Sequence, residues 1–262
     1  MTPSSVTPRR VVIIQARSSS SRFPGKVLEP LLNLPLIVFM ATRVRQSKLA
    51  DHVMVATSTD PSDDTLHRTL IEHGIACHRG NLNDVLDRYY QAACAAEADH
   101  IVRLTGDCPL MDADLIDRAL GLLASDDLDY VSNIAPPSYA DGLDVEAFTI
   151  AALREAWQNA RLPSEREHVT LYLRAGHAHL RTANWSGLTD LSSLRWTIDH
   201  PDDLAHVKGL LKEIGIDAPT GFDRFDIYRG IERRNLGAGA QHQRNEGLAK
   251  SLAAESTSHH IG

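Results

Sequence analysis

Short β-branched runs alternate with amphipathic stretches through the first half of this chain, and that alternation restricts its fold more than any other feature. Residues 11–16 (VVIIQA) and 53–58 (VMVATS) have the composition of buried strands. Between them Pro35 opens a stretch in which Leu36, Phe39, Met40 and Val44 recur at helical spacing. After residue 58, Asp60 offers a cap and Pro61 a first helical residue. Asp63 and Asp64 suit the positive end of the helix dipole, and Gly74 ends the helix. A strand near Ile75, a helix over about 83–97, a strand over 100–105 and a helix over about 112–123 continue the series, with a further strand at Tyr130 and Val131. Strand and helix in turn predict an α/β fold, a mostly parallel sheet between helical layers.

The alternation breaks at residues 134–142, which hold Pro136, Pro137 and Gly142. Leu143, Val145 and Ala147 then alternate with acidic residues, as in a half-buried strand. This segment reads as a small insertion. Helices over about 150–160 and 165–174, strands over 180–185 and 194–198, and a helix opened by Pro201 and ended by Gly215 complete the expected body. The expected division is an N-terminal extension (1–10), one domain (11–236) and a tail (237–262). The tail has little apolar periodicity, which predicts mobility.

Composition excludes several function classes. A net charge of −7 disfavours a nucleic-acid partner, because that affinity comes mainly from neutralising phosphates. The longest apolar stretch, residues 31–41, is interrupted by Asn33 and Pro35 and falls far short of the ~20 residues that cross a bilayer. Residues 11–14 are too few for the roughly 7–15-residue core of a signal peptide, so a cytoplasmic location is expected. Cys77, Cys94 and Cys108 show no CxxC spacing, which signals neither a disulfide framework nor a zinc site.

The segment QARSSSSRFPGK, residues 15–26, leaves the first strand as a serine-rich loop with three cations. Hydroxyls and free N–H groups bind phosphate oxygens, and Arg17, Arg22 and Lys26 would neutralise a pyrophosphate leaving group. Loops at the carboxyl ends of parallel strands are where such sheets place ligands. Ser20 stands where a Walker A loop needs Gly, Val27 follows Lys26, and no Gly-x-Gly-x-x-Gly follows the strand. These absences argue against P-loop hydrolysis and NAD chemistry. Asp107, in TGDCPL, sits after a predicted strand, where it could ligate Mg²⁺ or merely cap a turn. Asp199, in RWTIDHP, has the same setting and the same two readings. Asp112-Ala113-Asp114 matches a glycosyltransferase metal signature but stands immediately before an apolar helix, which favours a cap. Cys108 has no His near it in sequence and reads as packing, and His259 and His260 read as inert tail residues.

The loop, the GDCPL turn, DGLDVEAF (141–148), SEREHVT (164–170) and LRWTID (194–199) occur in an order that resembles the spore coat polysaccharide biosynthesis protein F family. That family in turn resembles the CMP-Kdo synthetases and acylneuraminate cytidylyltransferases. The resemblance covers residues 11 to about 215. It implies a three-layer nucleotide-diphospho-sugar transferase (GT-A-like) fold, with the insertion as an acceptor or dimerisation segment. It also implies CTP and Mg²⁺ as partners, an acidic-sugar acceptor, pyrophosphate as product and a homodimer. By position, Arg17, Arg22, Lys26 and Asp107 would be catalytic, and Asp107 with Asp199 would hold the metal. Gln15, Ala16, Ser18, Thr57, Ser58, Asp60, Arg103, Thr105 and Gly106 would join them in binding the nucleotide. Asp141, Asp144, Glu146, Arg166, Glu167, His168, Arg195 and Trp196 would face the acceptor. Arg166 would pair with an acceptor carboxylate or phosphate, and Glu146 or His168 would assist deprotonation, although residues 164–168 also fit a charged first helical turn. The rival expectations are a sugar-1-phosphate nucleotidyltransferase using another base, a glycosyltransferase acting through Asp112 and Asp114, and a non-catalytic nucleotide-binding module.

Overall fold

The computed structural model describes residues 7–239 and 242–258. Its first strand, β1 (Arg10–Gln15), leads through a two-stranded ribbon, β2 (Pro30–Leu31) and β3 (Leu34–Pro35), into α1 (Leu36–Val44). The parallel strands β4 (His52–Ser58), β5 (Ala76–Gly80) and β6 (His100–Thr105) follow, separated by α2 (Asp64–Glu72) and α3 (Val85–Ala95). The next elements are α4 (Ala113–Ser125), β7 (Tyr130–Ser132), β8 (Glu146–Thr149), α5 (Ile150–Asn159), α6 (Pro163–His168) and α7 (Leu171–Arg174). The remainder is β9 (Thr182–Asn184), α8 (Pro201–Ile214), α9 (Arg224–Arg234) and α10 (Glu246–Ser258).

Seven strands form one sheet in the order β5-β4-β1-β6-β8-β7-β9, in which β8 alone runs against its neighbours. The expected α/β architecture with a mostly parallel sheet is present, and helices cover both faces. Val12 and Ile14 pack with α1, α4 and α8, whereas Val11 and Ile13 pack with α3 and α5. Alternate residues of a buried strand thus serve two cores, which is why β1 is apolar throughout. After β1 the chain moves to β4 and β5 on one side, then returns to β6 on the other. The crevice beyond the carboxyl ends of β1 and β6 is therefore the switch point at which open α/β sheets bind ligands. No helix among the described residues is long and apolar enough to cross a membrane.

Several expectations are corrected. Residues 194–198 form no strand; Arg195 makes an isolated bridge to Asp141, and the Trp196 and Thr197 amides donate to the Asp141 carbonyl. Their apolar alternation reflects an extended backbone paired with a loop. Residues 143–145 lie outside β8, because the buried Asn133 amide stands in for a neighbouring strand there: it donates to the Leu143 carbonyl and accepts from the Val145 amide, both at 2.8 Å. The single helix expected over 165–174 is split at Val169, where φ is +59°. Beyond residue 236, α10 packs on α6. His259, His260 and residues 1–6 of the expected extension lie outside the described residues.

Gly142 shows how closely the inserted segment is seated. Its φ is +110°, and a Cβ there would come within 2.7 Å of the Thr197 nitrogen. Gly142→Ala should cost about 2–4 kcal/mol in urea unfolding, through backbone strain and the close approach. Gly121→Ala, in open space on α4, should be neutral or slightly stabilising. Equal stabilities for the two variants would contradict this seating.

Candidate active site

The loop after β1 is anchored from beneath. Asp63 accepts the Ser18 amide at 2.6 Å on one oxygen, and the Ser58 amide and hydroxyl on the other. The Gly25 amide closes the loop onto the Ser18 carbonyl at 2.9 Å, and its φ of +75° turns the chain into the 3-10 segment Lys26–Leu28. Lys26 is thereby buried, with 6% of its surface exposed. Its ammonium donates to Asp107 Oδ2 at 2.9 Å and Asp199 Oδ1 at 2.8 Å. Arg22 Nη2 reaches the same Asp199 oxygen at 2.5 Å, and Arg195 approaches the other at 3.5 Å. Burial alone would favour the neutral form of each group. Lys26 nonetheless holds its proton more tightly than usual because two carboxylates face it, and Asp107 and Asp199 stay below the usual carboxylate range because of Lys26, joined at Asp199 by Arg22.

Two adjoining clefts open at the carboxyl edge of the sheet, of about 820 and 940 Å³ with their mouths included. Gln15, Ala16, Arg17, Thr105 and Gly106 line the first, together with Ser20, Ser21 and Lys26. Arg17 has no carboxylate partner among the described residues. Asp141, Asp144, Glu146 and Arg103 line the second. Arg22, Asp107, His168 and Asp199 line both, so the clefts meet at the acidic pair.

Charge in the second cleft is closely balanced. Glu146 accepts from Arg103 Nη1 at 2.5 Å and from Tyr130 Oη at 2.6 Å, with Arg174 at 3.9 Å. Burial would raise its pKa, but the two arginines outweigh burial and hold it below the ordinary glutamate value, which makes it a poor base. Burial of the His168 imidazole lowers its pKa and keeps it neutral near pH 7. Asp144 is pushed up to about 6 by burial, partly countered by Arg244.

Other expected site residues do not line the cleft expected of them. Ser58 holds Asp63, the buried Thr57 lies outside both linings, and Asp60 caps the turn before α2 by accepting the Ser62 amide. Ser18 is committed through its backbone. Arg166 pairs with Asp84 and donates to the Trp157 carbonyl at 2.8 Å, so it ties α6 to the start of α3. Arg195 is buried among Asp141, Asp199 and Asp203, and Trp196 packs at a tilt against Tyr228, their ring centroids 5.0 Å apart. Glu167 lines the first cleft, not the second. Asp199 is not the cap of α8, because Asp203 accepts the Asp199 and His200 amides at 2.9 Å. Asp112 does cap α4 and pairs with Arg224. Cys108 is buried and its thiol is pushed well up, chiefly by burial and then by Asp107, which leaves it unreactive. Arg174, Thr197 and the segment 245–248 line the second cleft without any signal in the sequence.

Residues 11–225 match the family model described as cytidylyltransferase. The chain belongs to the cytidylyltransferase family. It is 34% identical over 216 residues to the spore coat polysaccharide biosynthesis protein SpsF of Bacillus subtilis, covering 78% of this chain and 86% of that one. It is 29% identical over 234 residues to a 3-deoxy-manno-octulosonate cytidylyltransferase of Anaeromyxobacter sp. (strain K), covering 81% and 94%. An uncharacterized protein of Methanocaldococcus jannaschii is 39% identical over 161 residues, but the match spans 65% of its length. Among solved structures, a cytidylyltransferase from Leptospira borgpetersenii superposes with a TM-score of 0.83 at 30% identity, covering 90% of this chain and 99% of that one. CMP:2-keto-3-deoxy-manno-octonic acid synthetase complexed with CTP has a TM-score of 0.60 at 19% identity, which extends the likeness in fold alone.

Removing the Lys26 ammonium leaves two half-buried carboxylates facing each other. Lys26→Met should therefore cost roughly 2–4 kcal/mol of stability near pH 7.5. In the parent, Asp107 and Asp199 stabilise the fold above the ordinary carboxylate pKa and lose that contribution as pH falls below it. In the variant the same groups are relieved by taking up protons, so the deficit should shrink toward pH 4. Urea titrations at both pH values measure it, and a pH-independent deficit would contradict the coupling.

Proposed function

We propose that this chain transfers CMP from CTP to an acidic-sugar acceptor and releases pyrophosphate, as a step in polysaccharide or glycan synthesis. The observation that carries this reading is the junction of the two clefts on Arg22, Asp107 and Asp199, directly beyond the cation-bearing loop. A nucleoside triphosphate in the first cleft and an acceptor in the second would meet there. The names of the relatives support cytidine as the base and a keto-deoxy sugar acid as the type of acceptor.

An acceptor oxygen attacks the α-phosphorus; the new O–P bond forms as the bond to the bridging oxygen of the β-phosphate breaks, and pyrophosphate leaves. Arg17, Arg22 and Lys26 neutralise charge growing on the leaving group. His168, neutral and lining both clefts, takes the acceptor proton. Glu146, already held by Arg103 and Arg174, shapes the acceptor wall. Arg174, which lines this wall with its Nε 3.9 Å from Glu146, presents the rest of its guanidinium to the acceptor carboxylate. Asp107 and Asp199 both line the junction of the clefts and offer hard carboxylate donors of the kind that suits Mg²⁺, with one oxygen of each engaged by the Lys26 ammonium. When bound, Mg²⁺ would supply further neutralisation of the phosphates.

Pyrophosphate release with each of the four nucleoside triphosphates, against 3-deoxy-manno-octulosonate and N-acetylneuraminate, tests this reading. CTP should support turnover and raise the melting temperature more than ATP, GTP or UTP in the presence of Mg²⁺. A larger shift with another base would move the activity to that nucleotide. Asp107→Asn and Asp199→Asn should each require more Mg²⁺, and the double variant should be much less than additively worse. Wild-type Mg²⁺ dependence in Asp199→Asn would remove it from the site.

A further inference from the structure

The carboxyl-terminal segment lies outside the region that matches the family, yet it is laid across both clefts. The body ends at a fixed point: Ala238 accepts the Arg195 amide at 2.8 Å, and Gly239 has a φ of +110°. The segment then places charge against opposite charge. Arg244 pairs with Asp144, donates to the Tyr139 carbonyl at 3.2 Å and lies 3.9 Å from Asp141. Glu246 lies 3.9 Å from Arg22 Nε and 3.6 Å from His200 Nε2. Gly247 lines both clefts. Farther along α10, the Ser251 hydroxyl donates to Glu167 at 2.7 Å and lies 3.0 Å from His168 Nε2. Glu255 accepts the Ser164 amide and hydroxyl at 2.6 and 2.8 Å.

We infer that residues 242–258 form an autoinhibitory strap whose Glu246 carboxylate competes with substrate phosphate for Arg22, an inference that rests on the nucleotidyltransferase reading. The strap carries an anion to the cation assigned to the leaving group and a cation to the carboxylates of the acceptor cleft. It also engages the imidazole assigned to the acceptor proton. Phosphate drawn to Arg22, which lines both clefts, meets like charge at Glu246 from the side of the second, and Gly247 narrows the first, so full occupancy requires the strap to lift. Its attachments suit release, because they are chiefly polar and Leu252 on α10 remains largely exposed. The strap's fractional closure reduces apparent affinity for phosphate by that same fraction.

The test compares four proteins: the full chain, a chain ending at Gly239, Glu246→Gln and Arg244→Gln. Isothermal titration measures their affinities for inorganic tripolyphosphate and for CTP with Mg²⁺. The shortened chain should bind both about tenfold more tightly, and each point variant by a few fold. In the full chain, CTP should also speed tryptic cleavage after Arg244 and Lys250. The point variants keep the whole chain and decide the matter if the shortened form fails to fold. Equal affinities in all forms overturn the strap and leave the nucleotidyltransferase reading intact. Weaker binding by the shortened chain and Glu246→Gln overturns it as well, making the segment part of the phosphate site. Absence of binding by every form overturns both.

Discussion

One ammonium group joins the three parts of the chain that make the site. Lys26 comes from the loop after β1, Asp107 from the turn after β6, and Asp199 from the extended segment before α8. The two carboxylates would repel one another across a short gap, and the buried cation converts that repulsion into a clasp. Arg22 and Arg195 extend the clasp outward, one toward the cleft and the other into the protein. The acidic pair is thus held together before any ligand arrives, and its charge is already compensated. Donors fixed in position in this way leave little reorganisation for a ligand to bring about.

The two halves of the site are built by different means. The first cleft stands on regular parallel strands, where β1 fixes Gln15 beside Thr105 of β6 in register and Gly106 donates to the Gln15 carbonyl at 2.7 Å. The second cleft stands mostly on irregular backbone. Asn133 replaces a strand for Leu143 and Val145, and the Asp141 carbonyl receives both the Trp196 and Thr197 amides. Arg103 marks the boundary, with one guanidinium nitrogen on Glu146 and another 3.4 Å from Gln15 Oε1.

That difference explains what the sequence reveals. Strand β1 and the cation loop are legible because apolar composition and a local run of Ser and Arg are short-range signals. Asp107 is legible as a carboxylate at a strand end. Asp199 reaches the site although no strand precedes it, so its place comes from pairing with a loop 58 residues earlier in the chain, at Asp141. The expected site residues that lie outside both cleft linings share a property: Arg166, Arg195, Ser58 and Asp60 are charged or polar groups engaged in holding the frame, and polarity alone does not tell a ligand from a brace. Arg174 is the converse case, because the break at Val169 re-aims α7 toward Glu146. A helical wheel drawn through residues 165–174 places it elsewhere. The segment α10 escapes notice because its attachments to α6 are hydrogen bonds, donated by Ser251 and accepted by Glu255, which leave no apolar stripe.

Ion pairing also separates structural acids from reactive ones within a single cleft. Glu146 is a buried and Asp144 a half-buried carboxylate of the same wall, and their acidities move in opposite directions. Glu146 has two arginines and a tyrosine hydroxyl supplied by the body of the domain, and its charge is secured whatever the ligand. Asp144 has Arg244, supplied by the carboxyl-terminal segment, and the pull of burial on its proton prevails. Its ionisation therefore depends on where that segment lies: with Arg244 withdrawn, nothing in its own hydrogen bonding offsets burial, and the carboxyl group shifts further toward the neutral acid. A neutral Asp144 donates a hydrogen bond where a charged one only accepts, so the same side chain would present a different face to an acidic acceptor once the segment is displaced. The position of a short polar segment is in this way coupled to the chemistry of a wall it only touches.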